Sequence, residues 1–301
     1  MNETSAGGAI SIAAEMIDKN SPIAASVTSA SLKRGNREVI TDFYVSADVL
    51  VEPKKFAFKV FLRLNAKKIR FEKVSFKHCI FDGCYLNNCT FDSCDFTGCR
   101  FIGSNFHQSS FTGCQFEYAV FERCQIDDDI LDSEAPRPEN LRMRFARTLR
   151  MNYQQVGDAK AVNKAISLEL EATSIYLYKS WRSKESYYQK KYTGFKAFSQ
   201  FLKWLEFWVL DFIWGNGESI VKLARTLVLT ILAISLYNTA FFGNILNIAD
   251  HWESVKRAPG VFLGVSSPQE YSIGILALIT ATRLVGVALL TAILIKRFGR
   301  R

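Results

Sequence analysis

Histidine and proline are scarce in this chain, with 3 and 6 residues in 301. The histidines, His78, His107 and His251, stand far apart in sequence, and none has a nucleophile at motif spacing. No G-x-x-x-x-G-K or G-x-G-x-x-G loop occurs that could cradle a phosphate. No cysteine pair stands at the short C-x-x-C spacing of a zinc site. With these features missing, no nucleophilic, nucleotide-driven or metal-dependent active site is legible. The expectation is a protein that is not an enzyme and holds no metal and no cofactor. The start of the chain lacks a basic stretch: it opens with Asn2 and Glu3, and Glu15 interrupts its apolar run, so no secretion signal is expected. Cysteine is absent outside residues 79–124, where all 7 fall. An odd count without a signal peptide predicts reduced thiols and a cytoplasmic compartment.

Acidic residues are few between Arg137 and Lys203, and the whole chain carries +9. This basic block lies directly before two long apolar runs, so anionic lipid headgroups are the expected partner. Residues 1–36, rich in Ala, Ser and Gly, read as disordered.

A repeat organises the middle of the chain. From Phe71 every fifth residue is large and apolar: Phe76, Phe81, Leu86, Phe91, Phe96 and Phe101, then Phe106, Phe111, Phe116, Phe121, Ile126 and Leu131. Two positions before these centres stand smaller residues: Ile69, Val74, Cys79, Cys84, Cys89, Cys94, Cys99, Ser104, Ser109, Cys114, Ala119 and Cys124. A period of five fits neither a helix nor a strand. It fits a coil that turns a corner in every repeat. Gly83, Asn88, Ser93, Gly98, Gly103 and Gly113, two after the centres, are the corner candidates.

This ladder resembles the pentapeptide-repeat family over roughly residues 69–133. The resemblance implies a β-solenoid, a right-handed quadrilateral β-helix with four repeats per coil. Residues 20 apart then stack, Phe71 under Phe91 under Phe111 and Cys79 under Cys99. The cysteines become small thiols on an inner wall. Some members of the family mimic DNA and bind gyrase. Just over three coils at about 4.8 Å each is only ~15 Å, under half a DNA turn. Neither that role nor a nucleic-acid partner is expected. Residues 37–68 read as a β-like cap of the solenoid.

Pro136 and Pro138 mark a break. A helical linker is predicted over 138–192, in two helices separated by Gly157 and Asp158. Residues 195–214 are densely aromatic but broken by Lys196, Lys203, Glu206 and Asp211. They read as an amphipathic helix in the headgroup layer, with Trp204, Trp208 and Trp214 at the interface.

Residues 219–301 read as a transmembrane hairpin. Thr226 to Ala249 holds no charged residue, and about 20 residues suffice to span. Ser272 to Ile295 carries Arg283. Its 13 Leu, Ile and Val residues, at roughly −0.3 to −0.6 kcal/mol each, outweigh an arginine at roughly +2.5 to +3.5. Lys222 and Arg225 before the first span, and Lys296, Arg297, Arg300 and Arg301 after the second, place both termini in the cytoplasm. Residues 250–270 are left as a short outer loop.

A second resemblance begins at Phe145. Asn152-Tyr153, Gly157-Asp158, Ala161 and Glu169 to Glu171 look like the tetratricopeptide-like linker of bacterial proteins that join pentapeptide repeats to a potassium-channel-like hairpin. The stretch Gly215 to Ser219 and the basic end Ile295 to Arg301 are similar too. That family's T-x-G-Y-G-D filter is absent; the nearest stretch is Gly260 to Val265. The resemblance implies a multi-pass bacterial inner-membrane protein, a homo-oligomer with a channel- or pore-like hairpin. Arg283, with Ala277, Ala281 and Gly286 near it and Gly260 and Gly264 in the loop, supplies the pore or helix-packing candidates. The coil would be a platform for a cytoplasmic protein partner, in a stress or phage-defence effector. The alternative is a membrane-anchored interaction scaffold with no conductance, in which Arg283 pairs with an acid such as Glu270 or snorkels outward.

Overall fold

The computed structural model describes residues 37–52 and 56–299. Residues 1–36, Arg300 and Arg301 lie outside the described residues, and so does the expectation of disorder for 1–36.

Twelve short strands wind into a parallel coil: β1 (Val39–Thr41), β2 (Tyr44–Val45), β3 (Val49–Leu50), β4 (Val60–Leu62), β5 (Asn65–Lys67), β6 (Arg70–Glu72), β7 (Ile80–Asp82), β8 (Tyr85–Asn87), β9 (Thr90–Asp92), β10 (Arg100–Ile102), β11 (Ser110–Thr112) and β12 (Val120–Glu122). Three walls are the sheets β1-β4-β7-β10-β12, β3-β6-β9-β11 and β2-β5-β8. The fourth wall is made by the bridges Ser75–Asp95 and Asp95–Gln115. The coil is a four-sided β-solenoid. Its register follows the ladder: Phe81 pairs with Phe101 and Phe101 with Phe121, each 20 residues on.

The corners explain the period. Gly83, Asn88, Ser93, Gly98, Gly103 and Gly113 all have positive φ, as do Lys73, His78, Gln108, Tyr118 and Arg123 in the same phase. One left-handed residue per repeat turns the chain, and the centre residue then points inward. The stacked phenylalanines Phe71–Phe91 and Phe91–Phe111 lie with ring centroids 5.0 Å apart. Phe76, Phe96 and Phe116 form a further column at 5.2 and 5.1 Å. Each buried ring contributes on the order of 1.5–3 kcal/mol, and ring-to-ring contacts add to it.

Residues 37–68, expected as a β-like cap, add a further course to the coil. Ile40 pairs with Phe61 and Phe61 with Phe81. Val45, Ala66 and Leu86 make one buried column. From β1 to β12 the solenoid rises by about four turns, ~19 Å at about 4.8 Å per turn.

The other end is closed by helices. α1 (Ile130–Ser133) tucks Ile130 and Leu131 into the core. α2 (Glu139–Val156) lies across the last course and sets Phe145 against Phe116 and Phe121, at 5.8 and 6.3 Å. Its side chains at i, i+4 and i+7 take the open hydrogen-bonding groups of the last course. Thr148 accepts from Phe121 N (3.0 Å), Asn152 Oδ1 from Cys124 N (2.6 Å) and Gln155 from Arg123 N (2.9 Å). Asn152 Nδ2 also donates to Cys124 O (2.9 Å). One helix face thus replaces the missing next strand.

Gly157, at φ 81°, ends α2, and Asp158 caps α3 (Ala159–Arg182) by accepting from Ala161 N. α4 (Ser186–Lys191) is short. α5 (Phe195–Trp214) packs Phe201 and Trp204 on Trp181 of α3, at 5.1 and 5.4 Å. α6 (Ile220–Phe242), α7 (Ile248–Leu263) and α8 (Ile273–Phe298) complete the described chain. Of these, α6 and α8 are long and apolar enough to cross a membrane.

Candidate functional site

The uncharged run Thr226 to Ala249 does not become one helix. α6 starts at Ile220, where Ser219 accepts from Lys222 N, and stops at Gly243. Lys222 is held by Asp211 of α5 (2.7 Å), and Arg225 donates to Phe212 O, with its guanidinium 4.5 Å above the Phe212 ring. The cations before the span are therefore tied to the end of α5.

Residues 250–270, expected as a short outer loop, instead hold most of a 16-residue helix. Asn247 caps it by accepting from Ala249 N, and Asp250 in its first turn complements the positive helix end. Ser254, Ala258, Val261 and Phe262 recur at helical spacing and form its buried face. That face packs on α6: Asn238 Nδ2 donates to Ser254 Oγ (2.9 Å), and Ala258, Val261 and Phe262 share a cluster with Ile234. α7 thus folds back along α6 instead of leading away from it. It tolerates Pro259 in its interior.

α7 ends at Gly264, with φ 77°, whose N–H bonds Val261 O while Val265 N bonds Gly260 O. The chain then returns through Ser266, Ser267 and Pro268 to Tyr271, which is buried. Tyr271 Oη donates to Asn238 Oδ1 (3.2 Å), so Ser254, Asn238 and Tyr271 form one polar chain. The chain borders a cavity of about 310 Å³ that also touches Arg257, Ser266 and Glu270.

The sequence candidates separate onto different faces. Arg283 lies against Gly264: a Cβ on Gly264 would overlap its guanidinium. Among the described residues Arg283 makes no ion pair, with Glu270 or any other acid. Its charge faces the carbonyl end of α7, which carries the negative half of the helix dipole. Gly260 faces Ser266, whose Oγ would lie 3.1 Å from a Cβ there. Gly286 is buried against α6, where a Cβ would stand 2.9 Å from Leu227. Ala277 and Ala281 are exposed, on the side of α8 away from Gly286. Trp204 is packed on α3, Trp208 is exposed, and Trp214 stacks under Gly217. Lys296 pairs with Glu218, joining the end of α8 to the elbow before α6. Arg297 lines a small cavity beside that pair.

The cysteines do more than fill an inner wall. Cys84, Cys89, Cys94 and Cys114 each donate Sγ–H at 3.4 Å to the carbonyl of the centre residue 23 positions earlier, Phe61, Ala66, Phe71 and Phe91. Cys79 and Cys99 reach Phe56 O and Phe76 O at 2.8 Å. Ser104 and Ser109 do the same to Phe81 O and Leu86 O. A short side chain with a donor at this position gives the centre carbonyl a partner, which Ile69, Val74 and Ala119 in the same phase do not. Burial pushes the Cys84 thiol up to about 11, from an ordinary value of 9.0. Cys114 is pushed up by the neighbouring Cys94 thiol and by burial. None of the seven is in a disulfide. The histidines are apart: His78 stacks on Phe58 (5.1 Å), His107 lies 3.6 Å from Asp127, and His251 meets Ile245 O.

Among curated proteins none matches this chain. Among solved structures, a trypsin-treated single-substitution variant of QnrB1, described as a plasmid-mediated fluoroquinolone resistance protein, is similar at 13% identity and a TM-score of 0.12, over 29% of this chain and 73% of that one. Residues 63–131 match the family described as Pentapeptide repeat region. That span covers most of the four-sided coil and the first turn of the helix that closes it, so the coil is similar to this family, and it is followed by helices of which two are long and apolar enough to cross a membrane.

Proposed function

We propose that α6, α7 and α8 of several copies assemble into a channel- or pore-like unit in a bacterial inner membrane, with the coil as a cytoplasmic platform for a protein partner. The observation that carries this reading is the return of α7 between the two apolar helices, ending at Gly264 against Arg283. Arg283 stands ten residues into α8, about 15 Å from its start and near the middle of a ~30 Å core. A charge at that depth marks a protein or water interface, not a lipid-facing site. The polar chain Ser254–Asn238–Tyr271 and the returning serines add hydrogen-bonding groups beside it.

One copy cannot complete such a unit. Only 6% of the apolar window of α8 is buried. Ala277 and Ala281 leave a smooth outer face on which another helix can approach closely. Lys222, Arg225, Lys296 and Arg297 collect at one end of the hairpin, which supports a reading with that end, the coil and both termini in the cytoplasm. The lack of a T-x-G-Y-G-D filter argues against potassium selectivity. A partner engaging the coil would gate depolarisation, as a stress or phage-defence effector requires.

Ion flux from liposomes containing the full chain, with its oligomeric state in detergent, tests this. Conductance from an oligomer that Arg283→Ala abolishes or changes in selectivity supports the pore. Stable monomers without flux under any trigger favour the anchored scaffold.

A further inference from the structure

At the basic end of the hairpin the linker helices meet the elbow 215–219 and the last turn of α8. A cavity of about 640 Å³ opens there, bordered by Arg147 and Arg150 of α2, Glu169 of α3, Asn216 and Glu218 of the elbow, and Lys296 of α8. Arg147 Nε and Arg150 Nε both donate to the single carboxylate of Glu169, at 2.9 Å each. Lys296 is on Glu218. Among the described residues that line it, three cations therefore face two carboxylates. Arg297 borders an adjoining cavity of about 250 Å³ that shares Glu218 and Lys296, and adds another.

The second observation is Asn216. Its Nδ2 is buried and has no hydrogen-bond acceptor among the described residues, while the residue lines the larger cavity. A buried amide donor left unmatched is costly, so such groups call for an acceptor that occupies the space in front of them. Its backbone is held at φ 52° by the elbow, between Gly215 and Gly217 at φ 65° and 85°.

Excess positive charge, forked guanidiniums and an unmatched N–H define one ligand chemistry. A phosphate group offers several acceptor oxygens at once and suits planar arginine donors. We propose that this cavity binds a phosphate-bearing anion, with Arg147, Arg150 and Lys296 as its counter-charges and Asn216 Nδ2 as a directing donor. The phosphate comes from an anionic lipid headgroup or from a soluble phosphate ester. Only the lipid source rests on the reading of α6 and α8 as membrane spans. Bound there, the anion would touch α2, the elbow and α8 together, and so join the coil's helical cap to both ends of the hairpin.

The full chain in neutral detergent is titrated with dihexanoyl phosphatidylglycerol, with inorganic phosphate, and with dihexanoyl phosphatidylcholine as the zwitterionic control. Binding is read as the shift in thermal midpoint and as the change in tryptophan fluorescence, since Trp214 adjoins Asn216. Saturable binding of phosphatidylglycerol alone supports the lipid source; saturable binding of phosphate as well supports the soluble one. Asn216→Asp keeps a side chain suited to the left-handed backbone and places a carboxylate against the anion. It should weaken binding about tenfold or more, and Lys296→Gln should do so as well. No saturable binding of either probe, equal binding of phosphatidylcholine, or unchanged affinity in Asn216→Asp overturns the proposal. These outcomes do not depend on ion flux, so the pore reading can fail while this site stands, and the reverse.

Discussion

The Arg283 guanidinium occupies the space that a Cβ on Gly264 would need, so the end of α7 and the middle of α8 fit together only because residue 264 is glycine. Gly264→Ala should therefore destabilise the hairpin through two effects. The left-handed backbone adds roughly 1 kcal/mol, and the displaced guanidinium adds more. Arg283→Ala in the Gly264→Ala background should restore the part due to the clash and leave the backbone part. Thermal midpoints of the four proteins in detergent check this; equal midpoints for the single and double variants would refute the contact.

The sealed end of the coil depends on Asn152. Asn152→Ala leaves Cys124 N–H and C=O without partners in a buried place, at about 1–3 kcal/mol for each group. A loss of about 2–5 kcal/mol in chemical denaturation is expected, with faster amide exchange in β12 before β7. Asn152→Asp keeps the acceptor for Cys124 N–H but not the donor to Cys124 O, so its loss should fall between the two.

The corner glycines should differ among themselves. A Cβ at Gly98 would meet the His78 ring, whereas at Gly103 it meets nothing within 4 Å. Both have positive φ. Gly103→Ala should cost roughly 1 kcal/mol from the backbone alone, and Gly98→Ala more. His78→Ala should bring the two into line, as read from urea midpoints.

The thiols give the coil a pH dependence on the alkaline side. The folded-state value of Cys84 is raised above its unfolded one by burial. Its contribution is then fully present below about pH 9 and is lost as pH rises toward about 11. The loss is on the order of 2–3 kcal/mol by linkage. Cys84→Ser removes the titration while keeping a donor to Phe61 O, so the melting midpoint of that variant should fall less steeply above pH 9.

Two small-residue positions on α8 should behave oppositely. Gly286→Leu strikes Leu227 within one copy and should unfold the hairpin. Ala281→Phe faces outward and should leave the single copy folded while lowering its oligomeric state. Multi-angle scattering in detergent reads both; an unchanged oligomer for Ala281→Phe would remove that face from the proposed assembly.

The coil was legible in the sequence because its period is physical. One left-handed corner, one inward centre and one small inner residue recur every fifth position, and Phe81, Phe101 and Phe121 stack as that spacing demands. Residues 39–62 were harder to read, since irregular spacing blurs the period there. The cap was hidden for another reason: Thr148, Asn152 and Gln155 look like any polar face of a helix until β12 is placed beside them. The donor role of the cysteines was hidden too, because it joins residues 23 apart, three beyond the stacking interval. In the hairpin the apolar runs announced their helices. The return of α7 did not show, because its buried residues Ser254 and Ala258 are small and its outer face, with Glu253 and Arg257 paired, reads as a solvated loop.

Four walls per course make the solenoid an angular spacer. Adding 20 residues within it lifts everything that follows by one course and leaves it facing the same way. Adding or removing five swings α2, and the hairpin behind it, by roughly a quarter turn about the coil axis while changing the height little. Length changes in this ladder are thus divided into two kinds, those that alter reach and those that alter heading, and a surface on β1 or β4 would face the helices from a new side only through the second.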